Sequence, residues 1–315
     1  MRVLVTGGAG FIGRWVTKRL LEDGHKVWII DDLSNGRIEN ITELMKKANF
    51  KEFVKGDVKD SKLLSHVFKN NFDICYHLAA SINVQDSIDD PDTTFQNDTI
   101  GTFNVLEECR KSGIKIVFMS TCMVYDRAYD DAGITELHPT KPASPYAGSK
   151  IAAENMVLSY WHTYKLPAVV IRPFNTYGPF QKTGGEGGVV AIFIKRNLEG
   201  QTLNIYGDGT QTRDLLYVED CADFVAKAGY SDKVNGEIVN AGLGRDISIN
   251  NLARLIADSE SQIKHVPHIH PQSEIRKLLC DYSKAKKLLG WEPKVSLEEG
   301  IKKTEDWIKT NPNLV

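Results

Sequence analysis

The 315-residue chain contains no apolar run near the ~18 residues that a membrane-crossing helix requires, so no membrane span is expected. It also lacks a charge surplus. Its 39 basic and 41 acidic side chains leave a net charge of −2, without the basic excess a nucleic-acid binder uses against phosphates. No Cys-x-x-Cys occurs, and the five cysteines (Cys75, Cys109, Cys122, Cys221, Cys280) are odd in number and scattered. Neither a disulfide framework nor a structural zinc site is expected; reduced buried thiols are the simplest state. His265, His268 and His270 cluster in a proline-containing loop that offers no fixed ligand face, so no metal is expected. Met1 to Val5 run straight into glycines, without a signal-peptide core or cleavage site, and a cytoplasmic protein is the expectation.

What is present begins with Val3-Leu4-Val5, a β-rich apolar run followed at once by Thr6-Gly7-Gly8-Ala9-Gly10-Phe11-Ile12-Gly13. Trp15, Val16, Leu20 and Leu21 then recur at helical spacing until Gly24. Strand, glycine turn and helix in that order are the context a dinucleotide site demands. The glycines permit a tight turn, close approach of pyrophosphate, and tight helix–strand packing. The helix start at Phe11, Ile12 and Gly13 offers N–H groups and a partial positive charge to phosphates. A second strand, Lys26 to Ile30, ends in Asp31. A carboxylate there accepts hydrogen bonds from a ribose diol and repels a 2′-phosphate, which favours NAD over NADP. The plainer alternative for Asp31 is a solvated turn residue beside Asp32 and Asn35-Gly36.

Further strands and helices alternate: Phe53-Val54 before Gly56-Asp57-Val58, the helical Leu63 to Phe68, and the strand Ile74 to Leu78. A helix follows through Gly101, Val105 and Cys109, then a buried strand from Ile114 to Met119. Uninterrupted apolar strands between helices predict an α/β fold with a doubly wound parallel sheet. Ligands in such sheets sit beyond the carboxyl ends of the strands, so Ser120-Thr121-Cys122-Met123 should face the cofactor's reactive ring. Downstream, Tyr146 and Lys150 are four apart at a helix start and share one face. An ammonium there is expected to draw the phenol pKa down from about 10 toward neutrality, making a general base. An ordinary surface pair has the same spacing.

The combination of TGGAGFIG, VWIIDDLSNG, KGDVKD, YHLAAS, MSTCMVYD, SPYAGSK, RPFNTYGP, NIYGDGTQTRDLLYVEDCA and SKAKKLLGWEP resembles the extended short-chain dehydrogenase/reductase family. It is most similar to the family's NAD-dependent nucleotide-sugar epimerase/dehydratase branch, over almost the full chain. The resemblance implies a Rossmann sheet with a smaller C-terminal α/β substrate lobe. It makes Tyr146 the base on the sugar O4, Lys150 the holder of the nicotinamide ribose, and Thr121 the hydrogen-bond partner of O4. Gly7, Gly10, Phe11, Ile12, Gly13, Asp31, Asp32, Asn35, Gly36, Asp57, Val58, Leu78, Ala79, Ala80 and Pro173 are implied to line NAD, with Tyr146 and Lys150. Ser81, Thr121, Cys122, Met123, Asn175, Val189, Asn204, Tyr206, Arg213 and Arg276 are implied to face a UDP- or dTDP-linked sugar. For Arg213 a surface ion pair with Asp214 is the alternative. Residues 1–174 and 215–244 would form the cofactor lobe, and 175–214 and 245–315 the substrate lobe. The helices near Thr93–Lys111 and Tyr146–Tyr164 would pair across a homodimer, although their spacing equally suits packing on their own sheet.

Which reaction follows C4 oxidation depends on the residues after Thr121. Dehydratases of the family place Asp and Glu there; this chain has Cys122 and Met123. Methionine transfers no proton and cysteine replaces a carboxylic acid poorly, which favours a 4-epimerase. Elimination or C5 inversion through Cys122, a cofactor-exchanging reductase, and a catalytically silent NAD binder are the alternatives; Cys122 as apolar filler is the plainest reading of that thiol. In the tail, Pro271-Gln272-Ser273-Glu274 replaces the family's Arg-x-Gly-Asp/Glu, leaving Arg276 or His270 as substitutes for the missing arginine.

Overall fold

The computed structural model describes residues 1–184 and 188–314, so positions 185–187 and 315 of the expected substrate lobe lie outside the described residues. In chain order the first elements are β1 (Arg2–Thr6), α1 (Phe11–Glu22), β2 (Lys26–Asp31), β3 (Phe50–Lys55), α2 (Ser61–Val67) and β4 (Ile74–His77). Then come α3 (Val84–Asp89), α4 (Pro91–Phe95), α5 (Gly101–Ser112), β5 (Lys115–Met119), α6 (Pro145–Tyr164) and β6 (Ala168–Pro173). The remainder is β7 (Asn175–Tyr177), α7 (Val189–Leu198), β8 (Leu203–Tyr206), β9 (Thr212–Tyr217), α8 (Val218–Tyr230) and β10 (Ile238–Ala241). The chain closes with β11 (Asp246–Ser248), α9 (Ile249–Ile256), β12 (Ile263–Val266), α10 (Ser283–Leu289) and α11 (Leu297–Thr310).

Seven strands form one parallel sheet in the order β10-β6-β5-β4-β1-β2-β3. The order reverses between β1 and β4, and the carboxyl ends of those two strands open the crevice where ligands bind in doubly wound sheets. Successive strand residues serve opposite faces. Val3, Val5, Val27 and Ile29 pack with α1 and α8, whereas Leu4, Trp28 and Ile30 pack with α2, α5 and α6. Burying a side chain of this size contributes about 1.5–3 kcal/mol, so both faces must be covered for the sheet to be stable.

Two smaller sheets stand apart, β11-β9-β7 and β12-β8. Their side chains pack with α7, α9 and α11 in a third core. The expected lobe boundary at 214/215 falls inside β9. A fourth cluster joins Cys122, Val124 and Tyr125 to Phe174 and to Ile275, Leu278, Leu279 and Cys280, so the tail packs beneath the end of β5. The helix expected near Thr93–Lys111 is interrupted: residues Gln96–Ile100 form a π-helical turn between α4 and α5.

Candidate active site

The glycine turn after β1 is built for a ligand without side chains in the way. Gly7 has φ +72°, and a Cβ there would lie 2.7 Å from the Ala79 amide. A Cβ on Gly13 would lie 2.0 Å from the Gly7 carbonyl oxygen. Gly10 is the N-cap of α1 and caps no side chain onto it, leaving the first-turn N–H groups of Phe11, Ile12 and Gly13 for an anion. Asp31 is buried, not a solvated turn residue. Its Oδ2 accepts the Ala9 amide and its Oδ1 the Leu33 amide, each at 2.9 Å, so it shapes the turns as well as facing the crevice. Burial raises its pKa, against those backbone bonds. Asp32 caps Ser34, Asn35 accepts Lys182 Nζ at 2.8 Å, and Gly36 lies against Ala9. Across the crevice the Leu78 and Ala79 amides donate to Thr6 Oγ1 at 3.2 Å, followed by half-buried Ala80. Asp57 Oδ1 accepts the Lys59 amide, Val58 packs on Gly101, and Pro173 ends β6. This side-chain-free cradle, an open helix start and a carboxylate at the end of β2 fit a dinucleotide.

Thr121, Cys122 and Met123 follow β5 in a short turn. The Thr121 hydroxyl accepts the Met123 amide at 3.2 Å and acts on the Tyr146 phenol, favouring its charged form. Tyr146 and Lys150 sit on α6, whose start is set by Ser144 accepting the Ala147 amide and by Pro145 in the first turn. Both side chains are buried, at 8% and 3% exposure, which excludes the surface pair.

The electrostatics correct one expectation. The Tyr146 phenol is not drawn toward neutrality; burial pushes its pKa well above the usual value, Asp98 adds to the rise, and only the Thr121 hydrogen bond opposes it. Lys150 lies over the Phe118 ring at 4.8 Å, and its own pKa is lowered by burial against the pull of Asp98 and Glu154. Cys122 is buried and its thiol is pushed up to about 12, chiefly by desolvation.

The substrate residues divide. Arg213 does not pair with Asp214. Its guanidinium donates to the Thr212 and Ile275 carbonyls at 2.8 Å and pairs with Glu274, whose other oxygen meets His268 Nε2 at 2.6 Å. Asp214 instead accepts the Leu243, Gly244 and Cys280 amides, with burial raising its pKa to about 7. The Tyr206 ring on β8 stands 6.3 Å from the His268 ring, joining β8 to this cluster. Asn175 has a buried Oδ1 without a hydrogen-bond donor, and Ser81 donates its amide to Asp98 at 2.6 Å. Arg276 is exposed and bonds Asp208 Oδ1 and Oδ2 at 3.1 Å. Asn204 lies on β8 and Val189 opens α7.

The family model described as GDP-mannose 4,6 dehydratase matches residues 4–304. The chain belongs to that family. It is 40% identical to a UDP-glucose 4-epimerase of Mycolicibacterium smegmatis over 98% of this chain and 99% of the relative. The X-ray structure of Pal from Bacillus thuringiensis superposes with a TM-score of 0.97 at 70% identity, covering 98% and 99% of the two chains. A Thermus thermophilus UDP-glucose 4-epimerase solved in complex with NAD superposes with a TM-score of 0.88 at 34% identity, covering 98% and 99%.

Within this family member, sequence reasoning missed four residues that shape the site. His77 on β4 bridges Thr6 Oγ1 at 2.7 Å and Thr102 Oγ1 at 2.9 Å, tying the cofactor loop to α5; complete burial lowers its pKa to about 3, so it stays neutral. Glu154 on α6, one turn beyond Lys150, is buried in a two-pronged pair with Arg172 of β6 and also takes the Ser120 hydroxyl. That network fixes the helix carrying Tyr146 to the ends of β5 and β6. Asp98, on the π-helical turn, faces Lys150 and Tyr146. For His77 the YHLAAS motif was a usable signal; for the other three the partners are too distant in sequence to be seen.

Proposed function

We propose that this chain is an NAD-dependent enzyme that oxidises C4 of a nucleotide-linked hexose transiently and returns the hydride to the opposite face, a 4-epimerase. The observation that carries the reading is the burial of Thr121 at the end of β5 together with Tyr146 and, one turn along α6, Lys150, without a neighbouring carboxylate after Thr121. NAD, when bound, supplies hydride acceptance and return. Tyr146 takes the O4 proton, Thr121 orients that hydroxyl, and Lys150 holds the cofactor side of the site. Burial excludes water from all three, so the proton passes between sugar and phenol. Arg213 would meet the diphosphate with its forked, permanently charged guanidinium once Glu274 yields it.

Arrangement of residues 1–174 and 215–244 as cofactor lobe, with the rest as substrate lobe, is supported by the separate cores of the parallel sheet and of the small sheets, although Ala285 and Trp291 of the tail pack in the first and Leu215 and Tyr217 in the second. A homodimer through α5 and α6 is supported by the exposed Phe103 and Tyr164 on those helices. Light scattering on the purified protein tests it, and a monomer at working concentration removes it. The five unpaired, buried cysteines support a cytoplasmic location.

A second reading, elimination or C5 inversion through Cys122, is favoured by the thiol's place beside the Tyr146 phenol. A thiol held to about 12 remains protonated at neutral pH, so in that reading Cys122 could only protonate the leaving C6 hydroxyl, and the C5 proton would have to pass to another base such as the Tyr146 phenolate formed at high pH. Incubation with UDP-, dTDP-, GDP- and CDP-hexoses separates the two. A product of unchanged mass with inverted C4 by NMR is expected. A product lighter by one water overturns the epimerase, and consumption of added reduced cofactor overturns both.

A further inference from the structure

Between β7 and α7 the chain holds an aromatic residue in a backbone conformation that such residues rarely adopt. Phe180 has φ +71°, in the left-handed region that a bulky side chain enters only where its surroundings compensate. Three ring contacts hold it there. The Arg14 guanidinium lies 3.8 Å above the Phe180 ring, the Trp307 ring of α11 stands 4.5 Å away, and Trp15 packs edge-to-face at 6.1 Å. Trp15 Nε1 also donates to the Pro179 carbonyl at 3.0 Å in a buried bond. Arg14 and Trp15 directly follow Gly13, so this anchor grips the first turns of α1, where the helix opens toward the glycine cradle.

The same segment reaches the opposite wall of the cradle. Two residues past Phe180, Lys182 Nζ donates to Asn35 Oδ1 at 2.8 Å. Beneath the Phe180 ring, Arg14 Nε donates to the Asn40 carbonyl at 3.2 Å and its guanidinium pairs with Glu43. Asn35, Asn40 and Glu43 belong to the connection after β2, which lies directly on the glycine turn. The Arg37 amide and Asn40 Nδ2 both donate to the Ala9 carbonyl, at 3.1 and 2.8 Å, and a Cβ on Gly36 would lie 2.8 Å from the Ala9 carbonyl carbon. In doubly wound folds the pyrophosphate sits at the start of α1 and the adenosine ribose at the end of β2. Residues Pro179 to Lys182 therefore tie together the two walls between which the adenosine half of a dinucleotide lies.

We propose that Pro179–Lys182 is a clasp that retains NAD through the redox cycle, with Phe180 as its anchor and Lys182 as its latch on Asn35. Both act through α1 and the connection after β2, so they are positioning residues. A reaction in which hydride leaves the sugar and later returns to it needs the same cofactor molecule at both steps, and slow release serves that directly. The inference rests on the cradle's being the dinucleotide site, not on the reaction assigned to it.

The test is exchange of bound NAD against excess etheno-NAD, a fluorescent analogue, followed as fluorescence of the protein-bound fraction with no sugar present. Lys182→Met keeps the length of an exposed side chain and removes its donor, and should exchange about three- to tenfold faster than wild type. Lys182→Arg restores a donor and should return the rate to within about twofold of wild type. Phe180→Gly accepts the left-handed backbone without strain but lacks the ring, and should exchange at least about tenfold faster. Lys182→Met combined with Asn35→Ala should exchange no faster than Asn35→Ala alone, because the two residues form one bond. Melting of the cofactor-free protein should move by less than about 1 °C in Lys182→Met, which separates a clasp from a general loss of stability. A Lys182→Met rate within about twofold of wild type overturns the proposal, and additive effects in the double variant overturn it as well. These two arms decide the matter if Phe180→Gly fails to fold. If no nucleotide sugar is turned over, the epimerase reading falls while the exchange rates still judge the clasp.

Discussion

Replacing Tyr146 by Phe removes a single oxygen from a side chain that is 8% exposed, an oxygen whose charged form the Thr121 hydroxyl favours. Thr121 keeps its bond from the Met123 amide at 3.2 Å. The stability cost should therefore be about 1 kcal/mol, a melting shift of roughly 2 °C for a chain of this size. The rate cost is of another order. Loss of a positioned proton acceptor lowers turnover by about 10²- to 10⁴-fold, equivalent to roughly 3–5 kcal/mol of barrier. The pH dependence adds a second check. Burial keeps the phenol protonated above its ordinary value, so its basic form increases with pH and wild-type kcat/KM should climb through the neutral range. Because that pKa is raised by folding, its stabilising contribution is complete below the unfolded value and fades only as pH rises through the folded one. Product formation followed by NMR, from about pH 6 to about 9, together with a thermal melt, reads all of this. A Tyr146→Phe protein that melts normally and retains more than about a tenth of wild-type turnover would show that another group removes the proton.

Three further outcomes follow from the same geometry. Gly13→Ala should yield protein without NAD, because the added methyl would meet the Gly7 carbonyl oxygen at 2.0 Å; nucleotide released on heating and quantified by chromatography checks it, and a full cofactor complement refutes it. Glu154→Gln leaves the Arg172 guanidinium, 3% exposed, without its counter-charge and should cost about 3–5 kcal/mol, a fall in melting temperature of roughly 6–10 °C. A fall under about 2 °C would mean the pair holds nothing in place. Cys122→Ala should keep 4-epimerisation within about threefold, since a thiol near 12 carries no charge at neutral pH, whereas a loss of about a hundredfold in turnover would favour the Cys122 reading.

The residues legible from sequence are those whose meaning is local or periodic. Gly7, Gly10 and Gly13 announce a turn because only glycine tolerates φ +72° or a neighbour at such distances. Asp31 is legible because it ends a strand, and the apolar alternation of Val3, Leu4 and Val5 because the sheet is covered on both faces. Tyr146 and Lys150 share a face by helical spacing alone. The partner of Arg213 was not legible: Asp214 adjoins it in sequence, but strand alternation turns neighbours to opposite sides, and Glu274 arrives from the tail.

What composition and spacing determined, then, is the sheet, the cradle and the inventory of reactive groups, since these depend on bonds and repeats within short segments. Only the folded chain decided how those groups are charged. Tyr146 stays protonated, His77 neutral and the Asp98 carboxyl raised because water is excluded from each, and exclusion of water is a property of everything packed around a residue, none of which is written beside it.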